Sequence, residues 1–223
     1  MKTNFKLIAL LLLVGLTSCK NDNKLSEYKY ADKPIVLTCN TMDTKLYQEA
    51  LYSFEDDILN FYGKNKPNAS LVQAYNQFVR MANFGNIKYE DILSAHSIKV
   101  FEALKKDNNL WDVNNSKSHL NYNSTFFNCI ANNISDANLK TTLNALLTTN
   151  SMSPKLFGAP LLNKYSTALN DKYLASYIAF ELYYAKLFDL DLSKISFDKP
   201  EPKVDFNKIP QPIKDTSLEI IKK

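Results

Sequence analysis

Apolar residues along this chain recur at spacings of three and four, the pattern of helices that bury one face. Leu46, Tyr47, Ala50, Leu51, Phe54, Ile58, Phe61 and Tyr62 form the first such stripe, with Thr41 or Asp43 to cap its start and Gly63 to end it. A second helix fits Ser70 to Phe84, with Ser70 as N-cap and Gly85 as the stop. A third fits Tyr89 to Lys106 and places Ile92, Leu93, Val100, Phe101 and Leu104 inward. After a polar loop over residues 107–123, Ser124 and Ser135 can each cap a further helix. Ser153-Pro154 pairs a cap with proline at the first helical position, but Gly158 and Pro160 predict a break before a helix reaching about Leu169. Asp171 to Asp189 reads as a strongly apolar helix with Tyr173, Tyr177, Phe180, Tyr184, Leu187 and Phe188 as its stripe. No strand-like alternation rises above this background, and no regular helical repeat appears. The expected fold is all-α, a single irregular bundle of six or seven helices over residues 35–195.

The flanks lack this period. Residues 19–34 are polar and lysine-rich and read as an extended tether, whose fourteen residues from 20 to 33 span about 45–50 Å if fully drawn out. Residues 196–223 set Pro200, Pro202, Pro210 and Pro212 among charges, which predicts an extended tail. The last eight residues suit one or two helical turns, too short to be stable alone in water.

The N-terminus has a different logic. Lys2 and Lys6 precede an apolar run from Leu7 to Val14, far short of the ~20 residues that span a bilayer. A basic start and a short apolar run are the parts of a signal peptide. The run ends in Leu16-Thr17-Ser18-Cys19, which resembles the lipobox of bacterial lipoproteins: a branched apolar residue, two small residues and a cysteine. The resemblance implies that residues 1–18 are removed and that the Cys19 sulfur carries a diacylglyceryl group, often with a further acyl chain such as palmitate. Two or three chains anchor far more firmly than one, because each buried methylene contributes about 0.8 kcal/mol. Lys20 at the next position resembles an outer-membrane address, facing the periplasm or the cell surface. Lys20-Asn21-Asp22-Asn23 partly resembles the acidic export signals of surface lipoproteins, with fewer acids than those carry.

Composition narrows the chemistry. With 4 Gly in 223 residues, phosphate-binding glycine loops and Rossmann turns are excluded. The formal charge of +4 falls to +2 once Lys2 and Lys6 leave, and the lysines are scattered, so nucleic acid is not an expected partner. Cys39 and Cys129 remain after Cys19 is lipidated. In an exported domain they can form a disulfide, or stay as two separate buried thiols.

Neither His96 nor His119 has a glutamate three residues before it, so a carboxylate-bridged di-metal site is not expected, and no metal or other cofactor is assigned. His96 reads as a partly buried, satisfied histidine and His119 as a loop surface residue. Glu55, beside Asp56 and Asp57, reads as part of a solvated face, and Glu181 as the better candidate for burial, bonded to a tyrosine hydroxyl. Trp111, in the long loop, is the candidate recognition residue; the alternative is an anchor that pins the loop to the bundle. No catalytic residue is assigned. The expected function is a non-catalytic binding or interaction module of the envelope, with an envelope protein or glycan as partner. The alternatives are an envelope hydrolase or glycan-processing enzyme using Glu55, Glu181 or His96, which requires a pocket holding at least two of them, and a structural envelope protein.

Overall fold

Asp43 accepts a hydrogen bond from the Leu46 amide at 3.2 Å and starts α1, Thr44–Gly63. The structure, a computed structural model, describes residues 25–35, 37–39 and 43–197. Cys19, the Thr41 cap and the proline-rich tail lie outside those residues. After α1 come α2 (Leu71–Asn83), α3 (Tyr89–Ile92), α4 (Ala95–Leu104), α5 (Thr125–Asn133), α6 (Ala137–Thr148), α7 (Pro154–Leu162) and α8 (Lys172–Leu182). Three short 3-10 segments, Tyr165–Leu169, Tyr184–Asp189 and Leu192–Lys194, complete the order. The fold is all-α, with no strand among the described residues beyond an isolated bridge between Trp111 and Leu120.

Most helix starts are the expected ones. Ser70, Ser124 and Ser153 each accept the amide three residues on, and Asp171 accepts those of Tyr173 and Leu174. Gly85 takes φ +67°, the left-handed conformation that ends α2.

Four expectations change. The third helix is split in two: Leu93 is extended and Ser94 caps α4, receiving the Ser97 amide at 3.1 Å, which brings the α-helices to eight among the described residues. Asp136, not Ser135, caps α6. α7 runs through Gly158 and Pro160 and ends two residues beyond the proline, which supplies no amide to the helix. At Gly158 an added Cβ would lie 2.1 Å from the Asn83 Oδ1, so a larger residue there would make that exposed side chain move. Finally α8 stops at Leu182 and the chain continues as a 3-10 segment.

Residues 25–35 are also not a free tether. Leu25 is buried, the Lys29 and Tyr30 amides donate to Glu49 at 2.6 and 3.0 Å, and Lys29 pairs with Asp56 at 2.8 Å. This stretch lies along α1.

α1 and α8 form the middle of the bundle. α1 packs on α2, α4 and α8, while α8 also meets α5 and both longer 3-10 segments. Aromatic rings fill the seam: Phe54 meets Phe78 at 5.0 Å and Tyr183 at 5.3 Å, and Tyr47 meets Phe126 at 4.5 Å and Phe180 at 5.3 Å. Tyr177, Tyr183 and Tyr184 are fully buried, so most of the tyrosine stripe is core. A disulfide joins Cys39 to Cys129, with Cα atoms 5.9 Å apart, and ties the stretch before α1 to α5.

Candidate functional site

Glu49, Glu55 and Asp57 of α1 do not lie on a solvated face. All three carboxylates are buried, and each receives donors from different elements. Glu49 takes the two amides of residues 29 and 30 and the His96 Nε2 at 2.6 Å. Glu55 takes the Tyr75 hydroxyl at 3.0 Å and the Lys172 ammonium at 2.7 Å. Asp57 takes the Ser94 amide at 3.2 Å and the hydroxyls of Ser97 and Tyr183, each at 2.5 Å. Burial raises the Asp57 pKa, against the pull of those donors. A buried charge is tolerated only when its oxygens are matched in this way, so these acids are cross-links of the bundle.

Glu181 is different. It is fully buried in α8, and neither oxygen has a hydrogen-bond partner. Ser118 and Tyr122 lie beside it without reaching hydrogen-bond geometry, and Tyr177 shares its surroundings. Burial pushes its pKa up to about 7, opposed by Ser118, by the Lys186 charge and by Tyr122. The expected bond to a tyrosine hydroxyl is therefore not made, although two phenols are close.

The candidate catalytic groups do not converge. His96 belongs to Glu49, Glu55 to Tyr75 and Lys172, and Glu181 is enclosed near Ser118, Tyr122 and Tyr177. None of the three lines the large cleft described next. Among the described residues no three or more His, Cys, Asp or Glu side chains are placed to hold a metal ion.

That cleft has a volume of about 760 Å³, within the range of small-molecule sites. Val79 and Ala82 of α2, Leu161 of α7 and Leu182 of α8 give it an apolar floor, and Phe84, 63% exposed, stands in its wall. Lys117 enters from the loop after α4, Lys155 from the first turn of α7 and Lys186 from the 3-10 segment after α8. No Asp or Glu lines it. A second pocket, of about 130 Å³, lies between residues 28–35 and α1 and is too small for more than a fragment.

No family model, curated protein or solved structure matches this chain.

The loop over residues 107–123 positions one side of the cleft. Asp107, Asp112, Asn115 and Asn121 each accept the amide two residues on, the local turn that favours Asn and Asp there. Trp111 holds the loop down: its indole N–H donates to the Leu104 carbonyl at 2.7 Å, and its ring meets Phe188 edge-on at 4.8 Å. His119, half-buried rather than free, pairs with Asp189 at 3.1 Å and stacks on Phe188. Trp111 is thus the anchor of the loop and not a lining residue of the cleft. Sequence reasoning passed over Lys117, Lys155 and Lys186. They come from three separate elements, and no local pattern marks them as a set.

Proposed function

We propose that this protein is a lipid-anchored binding protein of the bacterial envelope, held at the outer membrane through Cys19, with the cleft between α2, α7 and α8 as its ligand site. The observation that carries the reading is the cleft itself: an apolar floor of small-molecule size, a lysine rim and none of the candidate acid or base groups in its lining. The resemblance of Leu16-Thr17-Ser18-Cys19 to a lipobox supports the anchor. No described helix is long and apolar enough to cross a membrane. The packing of Leu25 brings the body close to the bilayer: six residue steps separate it from Cys19, at most about 20 Å when extended.

Palmitate labelling in the bacterial cell tests the anchor, and cleft filling tests the site. The wild-type chain should take up label, and Cys19→Ala should abolish it and leave a precursor of higher mass. Ala82→Phe, at a half-buried position in the cleft floor, should fold and lose the small molecules that co-purify with the wild-type chain. Label on the Cys19→Ala chain, or the same co-purified molecules on the filled cleft, would refute the reading.

A further inference from the structure

Some lysines of this surface pair with acids and others do not. Lys29 pairs with Asp56, Lys164 with Asp136 and Lys172 with Glu55, each within 2.8 Å. Lys117, Lys155 and Lys186 have no ion pair among the described residues, yet they converge on one cavity from three elements. Glu181, whose carboxylate feels the Lys186 charge, is sealed in the core and does not line the cleft. Like charges repel, so three unpaired cations around one cavity favour an anionic occupant. The same cavity receives the N-terminal turn of α7, through Ser153, Pro154 and Lys155, and that helix end adds partial positive charge. Below the cations the surface is apolar: Val79, Ala82, Leu161 and Leu182 form the floor, and Ile87 and Phe84 stand beside it. A free inorganic anion would leave that floor unused, and a neutral apolar molecule would leave the cations unmatched.

We infer that the cleft binds a single-chain anionic amphiphile, its carboxylate or phosphate head among Lys117, Lys155 and Lys186 and its apolar chain on the floor between α2, α7 and α8. The inference rests on the binding role proposed above and names the ligand class for that site. An anchor through Cys19 would keep the cleft beside a membrane, where such amphiphiles are at hand.

The experiment uses the full chain carrying Cys19→Ala, with its disulfide oxidised, titrated by calorimetry with octanoate, octyl phosphate, octanol and inorganic phosphate below any micelle concentration. The two anionic octyl probes distinguish a carboxylate from a phosphate source. At least one should bind about tenfold tighter than octanol and far tighter than inorganic phosphate. Lys117→Gln, Lys155→Gln and Lys186→Gln together should erase the preference over octanol, since each such partly exposed pair is worth a few-fold in affinity. Added salt should weaken the anionic probes and not octanol. Ala82→Phe should weaken every octyl probe.

Equal affinity for octanol and the anions, or a triple-glutamine variant that keeps its preference, would overturn the ligand class while leaving the cleft as a site. Inorganic phosphate binding as well as octyl phosphate would equally overturn it. Octyl binding untouched by Ala82→Phe would overturn the site along with the class. Absence of binding by all four probes would also overturn the class, and palmitate labelling would then decide the anchor separately.

Discussion

Tyr183 donates its phenolic hydrogen to Asp57 at 2.5 Å, joining the end of the last long helix to the middle of the first across 126 residues of sequence. Both groups are buried, and Ser97 and Ser94 complete the carboxylate's shell. Hydrogen bonds to buried charges are stronger than neutral ones. Tyr183→Phe should therefore lower unfolding free energy by about 2 kcal/mol, and Asp57→Ala by more because it strands three donors. Urea unfolding with an unchanged slope and a shifted midpoint checks both.

The Cys39–Cys129 bond spans 90 residues of chain. In the chain-entropy account a loop of that length stabilises by about 4–5 kcal/mol through the unfolded state. Urea unfolding with and without reductant, or of Cys39→Ser with Cys129→Ser, should show a loss of that order. A non-reducing peptide map should link the two cysteines.

Much of the fold was legible because caps and apolar periods are local signals. Ser70, Ser124, Ser153 and Asp171 mark helix starts by side-chain chemistry that acts within three residues. The break at Leu93 was hidden because Ile92 and Leu93 continue the apolar period across the Ser94 cap. The burial of Glu49, Glu55 and Asp57 was hidden for a different reason. Charge type says "solvent", and only the fold reveals the donors that reach Glu49 from residues 29, 30 and 96, or Glu55 from Tyr75 and Lys172. The lysine rim was equally hidden, since its members lie tens of residues apart. The burial of Glu181 was readable, because its helix is apolar on every side; its lack of a partner was not.

Glu181 gives the fold a pH dependence with a definite sign. Its pKa is about 7 in the folded protein, against an ordinary 4.5. Between those values the native state holds a proton that the unfolded chain has released. Stability is therefore highest below the lower value, falls as pH rises through the window and levels off above about 7. The loss from this one group is on the order of 3 kcal/mol. Glu181→Gln should remove that slope. Urea unfolding at pH 5 and pH 8 should show the variant losing less stability between the two than the wild-type chain does.

Trp111 acts on the cleft only through the loop it anchors. Trp111→Ala removes the hydrogen bond to Leu104 and the ring contacts to Phe101 and Phe188. The ring is partly buried, so the cost should be about 2 kcal/mol, below that of a fully buried tryptophan. Amide hydrogen exchange should speed up over residues 107–123 and stay unchanged in α1. Faster exchange throughout the bundle would show that Trp111 supports the whole core instead.

The most direct measurement of the central claim is an NMR titration of the full-length Cys19→Ala chain with octyl phosphate and octanoate, read residue by residue. Saturable shifts concentrated on Val79, Ala82, Gly85, Lys117, Lys155 and Lys186 for at least one of the two are the predicted result. Shifts clustered elsewhere, or none with either probe at millimolar concentration, would contradict the assignment of this cleft as the site of an anionic amphiphile.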